Sequence, residues 1–475
     1  MTETILYNTK TFCPRCTILE RKGLLLRDAV VVSRDDKVYL KTLCDQHTDN
    51  RTNETLYCSS LSFFQRMMNF DGTYMKTLKD IEDLTTNIPT KPTPSNFTIE
   101  LNIHLPNSTF LSDQEIKDNL LQFQSYYPKN KKFVLKVSAK GSNDIETINE
   151  KAKMISNQLK GYPILLEVTV ERLNEIAKLN DSAFLMGKIY PALKYYLKRG
   201  DEELFIKDIQ RLLTLLRQFS DIQSAVTIVV ERKFANLSSI LSLLRQNNDV
   251  IRFIILSIER PPKELVSSLQ AKYNNNTVDQ QQGNNNDNED DDKIINFSDP
   301  YELIQEIQVA TEGQIKDEDF YPLSTASVLE PMFNLMGYGL YNIRPSPYCA
   351  FATCLLNTES LKSVPINRLF NITKLYKELL PILPSIEEKI GFFNGLKIKS
   401  ILKNCNIPGV TIPNIFDYLT DKSKSHITKR VIDQTQILII HNNMDIAALD
   451  LKRRCHCSVE TKHRDGFVSS CTNCI

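Results

Sequence analysis

The placement of cysteine constrains this chain more than any other feature of its sequence. Of 11 cysteines in 475 residues, Cys13, Cys16, Cys44 and Cys58 lie near the start and Cys349, Cys354 and Cys405 lie late. Cys455, Cys457, Cys471 and Cys474 crowd the end, and none falls between Ser59 and Tyr348. Met1 to Thr11 lacks an apolar core of signal-peptide length, and no run of about 18 apolar residues occurs. A cytoplasmic chain without a transmembrane segment is therefore expected. In a reducing compartment its thiols read as metal ligands, catalytic groups or core residues rather than as disulfides.

Cys13-Pro-Arg-Cys16 and Cys44-Asp-Gln-His47 are two knuckles, C-x2-C and C-x2-H, and Cys13, Cys16, Cys44 and His47 together make a ligand set for tetrahedral zinc or a rubredoxin-like iron. Between them, Ala29 to Ser33 and Val38 to Leu43 flank the turn-forming Arg34-Asp-Asp-Lys37, a hairpin that returns the second knuckle to the first. So small a unit, with few apolar residues, needs a metal for stability. Four protein ligands leave no open position, which makes the site structural. At the other end, Cys455, Cys457, Cys471 and Cys474 surround the turn Asp465-Gly466 and form a second candidate site, for zinc or an iron-sulfur cluster, with Cys349 as a further candidate ligand.

The middle of the chain alternates. Runs at 97–103, 133–137, 164–170, 226–230 and 251–258 are rich in β-branched residues and read as strands. Helical spacing joins Ile145, Ile148, Ala152, Ile155 and Leu159, then Phe205, Ile209, Leu212, Leu213 and Leu216, then Leu237, Ile240, Leu241 and Leu244. Ser112 and Glu115 form a capping-box pattern, and Asp299 before Pro300 marks another helix start. The expected fold is α/β, with five parts. These are a zinc-ribbon or rubredoxin-like unit at 1–62, a proline-bearing linker at 63–95, a parallel α/β sheet, open or barrel-shaped, at 96–270, a disordered Asn/Asp-rich loop at 271–297, and a mostly helical, cysteine-bearing extension at 298–475. His104, after the first strand of that sheet, is a candidate ligand or base, since barrel sites gather at the C-terminal ends of strands.

Composition excludes some functions. Lys plus Arg against Asp plus Glu is 58 to 57, a net charge of +1, which does not suit a nucleic-acid partner held by charge. Only 14 glycines are present, and neither dinucleotide-binding nor P-loop glycine patterns occur.

The N-terminal knuckles resemble those opening the tetraether-lipid-synthase-like branch of radical SAM proteins. Four later stretches resemble that branch in the same order: Glu312 to Pro322 (EGQIKDEDFYP), Pro345 to Cys349, Pro365 to Asn371, and Leu451 through Asp465-Gly466 to Cys471. The resemblance implies a partial (β/α)6 radical-SAM-like barrel at 96–270 and a terminal auxiliary cluster. This chain departs from the pattern at both halves of the cofactor site. The first loop, His104 to Ser112, holds Ser108 and Thr109 but no C-x3-C-x2-C, and Ser138 to Asn143 replaces the Gly-Gly-Glu-Pro-like segment. The reading is thus a degenerate member, a pseudoenzyme that does not bind or cleave S-adenosylmethionine and acts as a metal-binding, non-catalytic or regulatory protein toward a protein partner or an apolar ligand. Two alternatives stand beside it. One is an iron-sulfur enzyme using the C-terminal cluster, or Cys349 and Cys354, for redox or lipid-modifying chemistry; the other is a zinc-ribbon docking module.

Overall fold

A computed structural model describes most of residues 3–258 and 299–469; residues 17–25, 71–97, 259–298, 327–339, most of 383–434 and 470–475 lie outside the described residues, with shorter breaks elsewhere. The proline-bearing part of the linker and the Asn/Asp-rich loop fall in those excluded spans.

The first unit is an antiparallel sheet of β1 (Thr4–Phe12), β2 (Leu26–Arg34), β3 (Lys37–Leu43) and β4 (Glu54–Cys58), in that spatial order. The β2–β3 turn puts Asp35 and Asp36 at φ 53° and 58°. Two left-handed residues match the twist of a two-residue hairpin, and aspartate tolerates that conformation better than most residues. Helix α1 (Leu61–Met68) follows, capped by the Ser60 hydroxyl, which accepts from Phe63 N at 3.2 Å. The helix therefore runs through the start of the expected linker. Its Phe63, Phe64 and Met67 join Val31, Leu40 and Tyr57 of the ribbon in one apolar cluster with the main sheet.

That main sheet is built on six parallel strands taken in chain order: β5 (Thr98–Asn102), β6 (Val134–Ser138), β7 (Ile164–Val168), β8 (Ile189–Leu197), β9 (Ser224–Val230) and β10 (Ile251–Ile258). Neighbours in sequence are neighbours in space, so right-handed crossovers all fall on the same side. On that side Ile99, Leu101, Leu135, Val137, Ile164, Leu166, Val226 and Ile228 are buried with the apolar stripes of the intervening helices. Those helices are α2 (Asp113–Tyr126), α3 (Ile145–Gln158), α4 (Val170–Lys178), α5 (Glu202–Leu216) and α6 (Leu237–Gln246). The Ser112 and Glu115 capping box forms as expected: Ser112 N donates to Glu115 Oε2 at 2.7 Å, and Glu115 N donates to Ser112 Oγ at 3.2 Å. Helix α7 (Pro300–Ala310) starts at the Asp299 cap.

Two findings correct the sequence reading. The sequence reading gave no strand at 189–197, where the structure has β8 with Pro191 inside it. Pro191 pairs with Leu166 of β7, but pairing with β9 begins only at Ala192, so the missing N–H costs the sheet little. The C-terminal extension is also not mostly helical where it meets the sheet. Its β11 (Ala350–Leu356) and β12 (Thr435–Asn442) join the sheet, β12 parallel to β10 and β11 antiparallel to β12. At the opposite edge β13 (Val459–His463) lies parallel to β5 and turns into β14 (Gly466–Ser469). Among the described residues the strand path has two ends, from Tyr321-Pro322 beside β11 to β14. The chain is thus a mixed α/β fold with a largely parallel sheet, and a closed ring is not seen.

The sheet face away from the helices carries charge. Lys136 on β6 reaches Glu100 on β5 at 2.9 Å and Glu167 on β7 at 2.7 Å, and Thr461 on β13 donates to Glu100 at 2.8 Å. Burial alone would raise the Glu100 carboxyl, but the Lys136 ammonium takes it down to about 2. Burial likewise opposes the charge on Lys136, and the two carboxylates overcome it and raise its pKa. Because the Glu100 pKa is depressed, the pair stabilises the fold above the ordinary carboxylate range, and that stability is lost as pH falls toward about 2. Lys136→Met should cost about 3 kcal/mol at neutral pH by leaving two facing carboxylates. In denaturant titrations the deficit should shrink below pH 4, as those carboxylates protonate.

Candidate metal centre

Strand β1 ends at Phe12 and delivers Cys13 at once; Cys16 follows within the same knuckle. Strand β3 ends at Leu43 and delivers Cys44, after which His47 N donates to Cys44 O at 3.1 Å and closes the turn that folds the His47 ring back. The hairpin brings these two ends side by side, as the spacing predicted. His47 Nδ1 lies 3.6 Å from Cys13 Sγ, 3.4 Å from Cys16 Sγ and 3.5 Å from Cys44 Sγ, and Cys16 and Cys44 are 3.7 Å apart. All four ligand atoms fall within 4.8 Å of one another. A tetrahedral ion with metal–sulfur bonds of about 2.3 Å and metal–nitrogen bonds of about 2.0 Å sets its ligand atoms about 3.5–3.8 Å apart. The residues present therefore fit a four-coordinate metal.

All four side chains are buried, Cys13 and Cys16 completely. Burial pushes the Cys13 thiol up to about 12. Burial also acts to raise Cys44, but the Gln46 amide and the His47 ring bring it down to about 7. Arg27, on β2, places its guanidinium against the Cys16 sulfur and near Cys44. A divalent ion with three thiolates and a neutral imidazole carries a net charge of −1, which that guanidinium offsets. With Nδ1 facing the metal, His47 would carry its proton on Nε2, the usual donor to an outer partner.

The second candidate site is only partly within the described residues. Cys455, Cys471 and Cys474 lie outside them, as does Cys405. Cys457 is buried, and its thiol donates to Val459 O at 2.9 Å. Cys349 is buried at the head of β11, and the loop before it lies against the cysteine-bearing turn, with Ser346 N donating to His456 O at 3.3 Å. Cys354 lies within β11, where burial pushes its thiol up to about 12. It is protonated at neutral pH and a poor nucleophile. His104 is buried at the end of β5, where its Nδ1 donates to Lys140 O at 2.8 Å and its ring meets Phe110 edge-on. Among the described residues no cluster of three or more metal-type ligands forms other than the N-terminal one.

Sequence reasoning missed the group that fixes the ribbon in place. Asp450 is fully buried and accepts from Tyr7 Oη at 2.7 Å, Thr9 Oγ1 at 2.6 Å and Tyr57 Oη at 2.9 Å. Phe12, next to Cys13, packs with Met444, Leu449 and Cys457. These partners stand some 400 residues apart in sequence, so no local pattern announces them.

No family model matches the chain, and no curated protein matches it. Solved structures similar to it include a mandelate racemase/muconate lactonizing protein from Paracoccus denitrificans PD1222 complexed with magnesium. That match has 10% identity and a TM-score of 0.27, covering 57% of this chain and 76% of the other. Another is a protein named for dehydratase activity from Salmonella enterica subsp. enterica serovar Typhimurium, at 8% identity and a TM-score of 0.26, covering 56% and 84%. Likeness at this level carries no argument about activity. The radical SAM resemblance is corrected here: none of the three comparisons gives it any support, and the reading as a degenerate member or pseudoenzyme of that family goes with it. Two of the stretches behind that resemblance meet in an ordinary packing contact. Asp319, from the 312–322 stretch, is buried and ion-paired at 2.6 Å with Arg368 from the 365–371 stretch.

Two outcomes test the site. Cys16→Ser should abolish bound metal measured by elemental analysis, and wild-type metal should be released on acidification, because thiolate ligands must take up protons to let go. Asp450→Asn should destabilise the chain by about 2–4 kcal/mol in denaturant unfolding, since three buried hydroxyls lose a charged acceptor.

Proposed function

We propose that the chain is a zinc-stabilised, non-catalytic binding protein, whose N-terminal ribbon is a structural metal module and whose partner is another protein. The observation that carries this reading is the closed, buried Cys13, Cys16, Cys44 and His47 set, which leaves no coordination position for a substrate. A mixed thiolate and imidazole shell suits zinc over harder-ligand metals. The ribbon also offers apolar surface: Ile5 on its edge strand β1 is 61% exposed and Leu43 beside the second knuckle is 48% exposed. No helix among the described residues is long and apolar enough to cross a membrane.

The test is metal and sulfide content with the visible spectrum, on protein purified without oxygen. One zinc per chain, lost together with ribbon folding on chelation, is expected. Iron at this site, or folding indifferent to chelation, would sink the reading. A second reading is favoured by the seating of the Cys349 loop against the Cys457 turn. It takes Cys455, Cys457, Cys471 and Cys474, with Cys349, as a further zinc or iron-sulfur site. Labile sulfide that disappears in Cys349→Ser would identify a cluster there; a zinc content unchanged in Cys471→Ser and no sulfide would remove the second site.

A further inference from the structure

Arg27 lies on β2 opposite Thr11 in the β1–β2 register, with Leu26 opposite Phe12, the residue that precedes Cys13. The pairing carries the half-buried Arg27 side chain to the end of β1 that delivers the first knuckle. Its guanidinium reaches Cys16 Sγ and faces Cys44, and also Asp45, which is exposed on the second knuckle. Its Nε–H is shielded from water and has no hydrogen-bond partner among the described residues. Thr11 is buried too, and its hydroxyl oxygen is likewise without a partner, so the residue opposite Arg27 takes none of its donors. A shielded guanidinium donor is costly unless something beside it carries negative charge. Protonated thiols offer it only weak acceptors, whereas three thiolates around a divalent ion supply that charge.

We infer that Arg27 is a positioning residue of the metal centre: it donates a hydrogen bond to the Cys16 thiolate and balances the single negative charge of the shell of three thiolates and one imidazole. This role rests on the reading of Cys13, Cys16, Cys44 and His47 as a structural metal site. Charge-assisted hydrogen bonds are stronger than neutral ones, and the groups that surround a metal's ligands fix their orientation and tune their basicity. Cys16 belongs to the first knuckle and Cys44 to the second, so one guanidinium facing both sulfurs ties the knuckles together from β2, the strand between β1 and β3. A hydrogen bond to sulfur also draws electron density from it, so the metal meets a weaker electron donor at Cys16 than an unbonded thiolate would be.

The experiment uses the full chain loaded with cobalt(II), whose visible bands report tetrahedral coordination and whose near-ultraviolet band reports sulfur-to-cobalt charge transfer. Arg27→Met is expected to keep the tetrahedral bands while its charge-transfer band moves to longer wavelength. Zinc affinity, measured by competition with a chromogenic chelator, is expected to fall about tenfold or more in the same variant. Arg27→Gln, which keeps a neutral donor and loses the charge, should move the band less and in the same direction; if Arg27→Met does not fold, Arg27→Gln decides. An arginine that only supported the strand would lower stability without moving the band. A charge-transfer band unmoved in the cobalt-loaded variant would overturn the inference and leave the metal site standing. Absence of tetrahedral cobalt bands in the wild-type chain would sink both the inference and the metal site on which it rests.

Discussion

The carboxylate of Asp450 accepts hydrogen bonds from hydroxyls on both edge strands of the ribbon, Tyr7 and Thr9 on β1 and Tyr57 on β4, while belonging itself to the segment that leads into β13. A buried carboxylate without donors would be costly, and buried hydroxyls without acceptors nearly so. Each side therefore has a reason to stay docked that apolar packing alone does not supply. Tyr348 extends the contact, donating to Tyr57 O at 3.0 Å and lying with its ring 5.0 Å from that of Tyr57. Hydrogen bonds to a charged acceptor are directional as well as strong, so this group sets the orientation of the ribbon, and packing of Phe63, Phe64 and Met67 fills the space beneath it.

Much of the parallel sheet was legible because its chemistry is local. A strand buried against helices reads as a run of β-branched residues, and 226–230 and 251–258 became β9 and β10 at nearly those limits. The capping residues Ser112 and Asp299 were legible for the same reason, since a cap satisfies amides only two or three residues away. What failed depended on neighbours. Pro191 counts against a strand unless the partner on its unbonded side is known to start one residue later. Ala350 to Leu356 mixes Phe351 and Thr353 with two alanines and two leucines, too mixed a run to declare its state alone, and it is a strand because β12 lies beside it. Residues 435–442 alternate buried and half-buried side chains, yet their place next to β10 follows from topology and not from their pattern.

The metal set was legible for a related reason. Each knuckle spans three residue steps, and a single hairpin joins the two, so the distance from sequence to ligand geometry is short. The opposite holds for the ordered motifs that suggested a radical SAM relative. Each fixed only a few positions, and such positions also arise from ordinary packing, as the buried Asp319 and Arg368 pair shows. Order along a chain adds little when short motifs of this kind are also met by ordinary packing. The charged row of Glu100, Lys136 and Glu167 was equally silent in sequence, where single charged residues inside strands look like solvent-facing positions.

With an ion held by Cys13, Cys16, Cys44 and His47, metal and docking would be energetically one system. Cys13 directly follows Phe12, which is packed among Met444, Leu449 and Cys457, and Thr9 lies on the same strand only three residues before Phe12. Removing the ion leaves three thiols and an imidazole buried together with nothing to hold them at 3.4–3.7 Å, and the ends of β1 and β3 are then free to separate. Any movement at the end of β1 is carried along a strand of fixed register, since β1 and β2 pair without a shift from Tyr7 to Phe12. The Thr9 and Tyr7 hydroxyls cannot follow that movement and keep their bonds to Asp450, whose own position is set by the sheet. The free energy of binding a metal there would therefore go partly into aligning β1 with Asp450, so metal loss and loss of the ribbon's seat on the sheet should occur together.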